Sequence, residues 1–507
     1  DVFREKNRKT VLAGSILAIV ICGGLLAWMY SFKNIKPDHK VTAGVIGFLA
    51  VYLILFAVGT SVKKMYRIFP AAVLLVLICE LFVLDYPSLW HRESPTRNQV
   101  ATEYYNDGTK EAVAMLKEQD DSVYRIEKSY TSASENDGMS QGYNGLSVYM
   151  STNPASLVAY HKMYGPETLS GNFVDFNMDD YIRSSLLGTK YLITGTGYHA
   201  PQKIYTSVGE AGGRSVFENQ YALPFGYLYD KEWNQEEVKE MSGLDKTLAS
   251  LSGFYYTDAE ETSSYQKADL PEQTDLSLLD YADTATDCTM EKGSEGITVS
   301  NLGADPNVVF PGVASCFADN DKLYGLSLTV DAPDETEMAV YYQTEGDEGF
   351  SAEKVYTFKV TEDNRTWEHL VPGGITELRV DVSSPVESAV INNFELKSCD
   401  ITESGYTALK ESGVDEVTFS DSTYQAQVTN DASENKMLCV PLFYQKGWTA
   451  QIDGEDAGVY NINEGMCGVE VPSGTHEIVL KYETPYKNYG VGMTIIGIII
   501  FILVFSQ

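Results

Sequence analysis

Three long apolar runs open the chain: Thr10–Tyr30, Val41–Thr60 and Phe69–Trp90. Each is about 20 residues long and almost free of charge, which is the length a helix needs to cross hydrocarbon. Lipid offers no partners to peptide groups, so such runs predict spanning helices. The first run is not a leader peptide, because it has no small-residue cleavage site and further spans follow at once.

Beyond residue 90 the pattern shifts to short elements. Thr109–Gln119 carries Ala112, Val113, Met115 and Leu116 at helical spacing. Ser122–Glu127 and Lys190–Thr194 are β-branched and aromatic runs that predict strands, and Tyr181–Leu187 predicts a helix ended by Gly188. After Glu295 the period becomes two, in runs such as YGLSLTVDA, EMAVYYQT and ITELRVDV. Tight turns are expected at Asp453-Gly454 and Ser473-Gly474.

The fold class that follows is a polytopic α-helical membrane protein with a large extracytoplasmic region. Residues 91–230 form a small α/β module and 231–290, rich in Asp, Glu, Ser and Thr, a connector. Residues 291–400 and 401–485 are β-sandwich or jelly-roll modules, as two domains or one large one. Residues 486–507 begin a last transmembrane helix that stops after about 16 apolar residues. With no Met at position 1, the chain reads as part of a longer protein.

Charge sets an orientation. Arg4, Lys6, Arg8 and Lys9 precede the first run, and Lys63, Lys64 and Arg67 fill the second loop, so both are expected on the cytoplasmic side. Lys33, Lys36 and Lys40 argue mildly the other way, while Trp28, Tyr30, Tyr86 and Trp90 form aromatic belts at the outer face. Three crossings then place residues 91–485 outside. Residues 1–90 carry 10 basic and 5 acidic side chains; residues 91–507 carry 27 and 66. An acidic excess of that size argues against nucleic acid and against adhesion to anionic headgroups.

Candidate chemistry is sparse. Glu80 lies in the middle of the third run, where a carboxylate must face protein or water. It either contacts a lipid-phosphate or sugar pathway or pairs with a polar group on a neighbouring helix. Tyr143, Asn144, Tyr149, Tyr160 and Tyr164 crowd one Gly-rich stretch; flat rings with amide and hydroxyl groups suit a sugar, and they equally suit a loop that packs on itself. Trp367 and Trp448 lie in predicted strands and are expected in sandwich cores. Six scattered His form no zinc pattern, and no phosphate-binding loop or nucleophile elbow occurs. Asp179-Asp180 is expected as a solvated cap. Asp319-Asn320-Asp321 is a bare turn or a Ca²⁺ loop, the one place for a divalent cation. No other cofactor is indicated. Cys288 with Cys399 and Cys439 with Cys467 bracket or share β modules, so disulfides and free thiols are both open.

Val123–Ile126, Gln141–Ser151, Leu187–Thr194 and Phe217–Asp230 come in the order seen in the YfhO family of bacterial membrane proteins, and Lys446–Gly454, Gly465–Gly474 and His476–Tyr482 resemble that family's C-terminal module. The resemblance implies a C-type (GT-C) glycosyltransferase. Such an enzyme takes a sugar from an undecaprenyl-phosphate-linked donor and attaches it to a cell-surface polymer such as lipoteichoic acid. It also implies that the catalytic carboxylate lies in an N-terminal helical bundle outside these residues, so no catalytic residue is carried over. The competing class is a non-enzymatic, membrane-anchored surface protein whose β modules bind wall glycan or a protein.

Overall fold

The computed structural model describes residues 8–29, 39–61, 68–90, 96–133, 136–164, 173–174, 180–195, 200–257, 265–332, 335–362, 364–382, 387–420 and 422–505. Arg4, Lys6, Lys33, Lys36, Lys63, Lys64, Arg67 and Asp179, used above for orientation and capping, lie outside the described residues. The chain divides into two units, Asp1–Gln99 and Val100–Gln507.

The first unit holds α1 (Arg8–Met29), α2 (His39–Ser61) and α3 (Phe69–Trp90). Among the described residues α2 is the one helix long and apolar enough to cross a membrane, over His39–Gly59 with a mean hydropathy of 2.5. α1 and α3 contribute shorter apolar stretches, Ile16–Met29 and Phe69–Leu84. Side chains such as Ile54, Leu75 and Phe82 are exposed, so these helices present apolar surface outward as helices suited to lipid do. α2 meets α3 through a T-shaped contact between Phe56 and Phe69, with ring centroids 5.3 Å apart. Gly44 and Gly59 face Leu84 and Phe69, where a methyl group would collide, so small residues let the two backbones approach. Tyr52 donates to Glu80 Oε2 at 2.7 Å, which gives the acid of α3 a partner on the neighbouring helix.

The second unit begins with a four-stranded sheet in the order Arg125–Lys128, Thr189–Thr194, Arg214–Asn219, Tyr205–Ala211. Its first pair is parallel and the others antiparallel. The helix Thr109–Gln119 buries Ala112, Val113 and Leu116 on Ile126, Tyr191, Ile193 and Val216, the stripe its periodicity predicts. Tyr181–Leu186 is capped by Asp180, whose carboxylate accepts from the Ile182 and Arg183 amides; this acid is buried, not solvated.

Two sandwiches follow, each with its own core. The first packs a six-stranded sheet, centred on Ser388–Asp400 and Lys322–Asp331, against a five-stranded sheet centred on Ile375–Val382. The second packs Thr423–Asn430 and Gly474–Tyr482 against Lys436–Phe443 and Met466–Val471. Two features depart from the sequence reading. Thr274–Ser277 and Thr284–Thr286, in the stretch expected as a connector, and Thr289–Gly293, which straddles its end, are strands hydrogen-bonded into the first sandwich. Most of their side chains face water, so they lack the apolar alternation that marks a strand. Tyr227–Tyr229 leaves the α/β region and pairs with Met437–Cys439, completing a sheet of the second sandwich. A helix, Lys487–Phe505, with an apolar stretch over Lys487–Leu503, ends the described chain.

Trp367 and Trp448 are half-buried rims of the two cores. All seven cysteines are free thiols. Among the described residues no group of three or more His, Cys, Asp or Glu is placed to hold a metal ion. At Asp319-Asn320-Asp321 the Asp319 carboxylate accepts from the Asp321 amide, and Asn320 Oδ1 accepts from Lys203 Nζ at 2.6 Å, so an ammonium sits where a cation would be sought.

Candidate functional site

A cleft of about 790 Å³ opens in the second unit, between the end of the helix Thr109–Gln119, the strand Arg125–Lys128 and the loop after the short helix Asp137–Gln141. That loop turns at Gly142, whose φ of +78° is costly for other residues and whose amide donates to Gly138 O. Lys117 Nζ donates to Gly142 O at 2.7 Å and ties the helix end to the loop. Ile126 N donates to Asn144 O at 2.8 Å, and Asn144 Nδ2 to Tyr124 O at 3.3 Å, so the loop runs beside the strand.

Tyr143 and Asn144, two of the expected sugar-contacting residues, line this cleft. Tyr143 is half-buried and Asn144 exposed. Burial, then the negative charge of Asp137, pushes the Tyr143 phenol well above its usual range, so it stays a neutral hydroxyl. Tyr149 is 57% exposed and is not part of the lining; its backbone is clamped by Asn136, which accepts from Tyr149 N at 3.1 Å and donates to Tyr149 O at 2.8 Å. Tyr160 is a core residue packed edge-on to Phe443. Glu80 belongs to α3 in the other unit, with Tyr52 as its partner.

The residues that hold the cleft in shape carried no sequence signal. Lys128 Nζ donates to Asp137 Oδ2 at 2.7 Å, to Ser132 Oγ at 2.6 Å and to Gln141 Oε1 at 3.1 Å, with the Lys128 and Asp137 side chains each 5% exposed. The same ammonium faces the rings of Tyr130 and Tyr143, 4.6 and 5.9 Å from their centroids. Asp107 extends the network, accepting from Ser132 Oγ, Thr109 Oγ1 and Gln141 Nε2 and pairing with Arg214. Burial lowers the Lys128 pKa, and Asp137 works against that shift. Only the fold unites these residues; the spacing of Lys128, Asp137 and Gln141 resembles no motif.

Two acids, Asp120 and Asp121, line the cleft. Asp120 Oδ2 accepts from Lys190 Nζ at 2.7 Å and Tyr191 OH at 2.8 Å, and Oδ1 from Ser122 N at 2.9 Å. Burial pushes this carboxyl up, but those bonds outweigh it and hold its pKa well below the usual carboxylate range. Asp121 beside it is exposed. On the wall, the buried Tyr124 hydroxyl has no hydrogen-bond partner among the described residues. Arg125 is buried, with its guanidinium 5.0 Å from the Phe225 ring centroid, and burial brings its pKa down to about 10 against the pull of Glu127. The cleft lining offers rings, an amide and a neutral phenol, which together suit hydroxyl-rich ligands.

Comparison with known proteins gives a match to the family described as bacterial membrane protein YfhO over residues 2–494. A protein of Bacillus subtilis (strain 168), described as "Uncharacterized protein YfhO", is 21% identical over 525 residues, covering 98% of this chain and 56% of that protein. The chain thus spans little more than half the length of this relative. Among solved structures, the C-terminal CBM6 of LamC, a marine laminarinase from Zobellia galactanivorans, covers 25% of this chain and all of its own, at 13% identity and a TM-score of 0.17. The arabinofuranosyltransferase AftD from Mycobacteria covers 46% of this chain and 29% of its own, at 10% identity and a TM-score of 0.14. TM-scores this low do not establish a shared fold.

Proposed function

The chain belongs to the YfhO family of bacterial membrane proteins, and from that premise we propose that it forms the C-terminal part of a membrane glycosyltransferase. The enzyme moves a sugar from an undecaprenyl-phosphate-linked donor to a cell-surface polymer such as lipoteichoic acid. In this reading α1, α2 and α3 cross the bilayer from a cytoplasmic start, and residues 91–485 stand outside the cell. The cleft beside Asp137–Gln141 is the acceptor subsite.

The observation that carries the reading is the cleft itself, open to solvent and lined by the Tyr143 ring and the Asn144 amide. The exposed part of the Tyr143 ring stacks on a sugar or polyol face in this reading, while its hydroxyl and the Asn144 amide meet ligand hydroxyls. The backbone bonds to Ile126 and Tyr124, and the Lys117 tether, fix the loop before ligand arrives, so little ordering accompanies binding. The proton transfer that activates an acceptor hydroxyl belongs, in this proposal, to a carboxylate of the helical bundle preceding these residues.

The test is sugar transfer by the whole protein in membranes, with a polyprenyl-phosphate sugar as donor and lipoteichoic acid as acceptor. Tyr143→Ala is expected to lower kcat/KM about tenfold, the worth of one good aromatic contact, chiefly through the KM for polymer. Unchanged kcat/KM in the folded variant removes the acceptor role from the cleft. No transfer by the wild-type protein removes the enzyme reading.

A further inference from the structure

The two ends of the second sandwich show different chemistry to their surroundings. One end holds residues 431–435 and the turns Asp453-Gly454 and Ser473-Gly474, and its exposed side chains are polar, Asp431, Glu434, Asp453 and Glu455 among them. The other end is aromatic. There Phe419 stands opposite Tyr424, Tyr424 opposite Leu480, and Trp448 opposite Tyr482, with the Trp448 and Tyr482 ring centroids 5.3 Å apart. Tyr482 N donates to Ser422 O and Glu483 N to Gly447 O, so the loops of this end are bonded to the chain that leaves it.

That chain continues from the strand Gly474–Tyr482 into the helix Lys487–Phe505. Five peptide steps from Tyr482 to Lys487 reach at most about 18 Å, so the helix starts near the aromatic end. Tyr486 and Tyr489 stand exposed at its start, and residues 498–503, more than a full turn, are apolar and exposed. Tyrosines leading into a helix that is apolar all round are the pattern of a membrane–water boundary.

The cleft lies at this same end. Phe419 lines it one residue before its strand stops, and Leu442 lines it just before the chain turns through residues 444–447 into Trp448. Met139 lines it from the α/β region and is 84% exposed; Phe419 is 37% exposed, and Tyr149, next to the lining residue Val148, is exposed as well. Single exposed apolar side chains are ordinary on a protein surface, but three around one opening, at the end that issues an apolar helix, form a patch.

We propose that the aromatic end of the second sandwich rests on the lipid bilayer. The helix Lys487–Phe505 enters the hydrocarbon, and the cleft rim at Met139, Phe419 and Tyr149 seats at the boundary between headgroups and acyl chains. The partner is the bilayer itself, held by apolar contact, so a neutral phosphatidylcholine surface suffices. This contact is independent of sugar transfer, and its consequence is that the cleft opens along the membrane surface.

The test uses the full chain in phosphatidylcholine nanodiscs with one nitroxide label at a time, at Met139→Cys, Phe419→Cys or Asp453→Cys. The cysteines that are not buried are first removed as Cys22→Ala, Cys79→Ala, Cys288→Ala and Cys316→Ala. Spin relaxation by oxygen, which partitions into lipid, is expected to exceed relaxation by a water-soluble nickel chelate at positions 139 and 419, at a depth of about 5 Å or more. The order is expected to reverse at position 453, on the polar end. Labels at 139 or 419 that the chelate reaches as readily as it does position 453 overturn the proposal. So do immobile labels that neither reagent reaches, because they mean that protein covers the rim.

If the substituted chains do not fold, the wild-type chain is photolabelled from a diazirine carried on lipid acyl chains. Carbene insertion at Met139 and Phe419 supports the contact, and labelling confined to α1, α2, α3 and Lys487–Phe505 refutes it.

Discussion

Two aromatic clusters of the second unit look alike in composition and differ in what holds them. In the first sandwich, Phe358 stacks on Trp367 at 5.0 Å and 9°, Trp367 lies nearly parallel to His369, and Tyr356 stacks on Tyr342. The strands Val355–Val360 and Thr366–Val371 belong to opposite sheets, so these rings close the open edge between them. Each ring's face is taken by another ring. At the cleft, Tyr143 is backed by an ammonium and a buried ion pair and turns toward an opening. The difference is that the sandwich rings are covered by one another, whereas Tyr143 is held by polar groups and lines a cleft.

Removing the polar backing is the sharpest way to break this comparison. Asp137→Ala leaves the buried Lys128 ammonium with only neutral hydrogen-bond partners and the more distant Asp107 charge, and about 3 kcal/mol of stability is expected to be lost, together with the polymer binding proposed for the cleft. Chemical denaturation with a parallel binding assay measures both. Trp367→Ala strips a half-buried ring from the sandwich edge and is expected to cost about 2 kcal/mol with binding unchanged. Weakened binding in that variant would mean the sandwich rings take part in recognition.

A milder probe uses pH. The Asp120 carboxyl is held below its unfolded value of about 3.9, so its contribution to stability is complete above that pH and is lost as pH falls through the lower folded value. The melting temperature of Asp120→Asn is therefore expected to fall less steeply below about pH 4 than that of wild type. Identical acid limbs would show that the Lys190 and Tyr191 bonds contribute nothing. Smallest of all is Tyr149→Ala, whose ring lies outside the cleft lining: stability within about 0.5 kcal/mol of wild type and unaltered polymer affinity.

Periodicity carried most of what the chain made legible. The helix Thr109–Gln119 has the predicted bounds because its apolar stripe and its Gly108 start are local. Gly188, at φ +80°, ends its helix as a left-handed terminator does. Asp453-Gly454 has positive φ at both residues, as a tight hairpin turn requires. What stayed hidden depends on partners distant in sequence. Thr274–Ser277 is a strand only because Ser388–Asp400 offers it a hydrogen-bonding edge. Lys128 reads as one more surface lysine until the fold brings Asp137, Ser132 and Gln141 around it. Tyr143 and Asn144 were found by composition alone, whereas Tyr149 and Tyr160 shared that composition and are a clamped surface ring and a core ring.

The pairing of Tyr227–Tyr229 with Met437–Cys439 bears on biosynthesis. The α/β region is synthesised before the second sandwich, yet one sheet of that sandwich joins a strand near residue 228 to one made long afterwards, so everything between must close as a loop. Premature release before Lys436 strands a short, tyrosine-rich ribbon with open backbone edges, the kind of surface that recruits other chains. Completion of that sheet therefore depends on the second sandwich being made, long after the strand it pairs with.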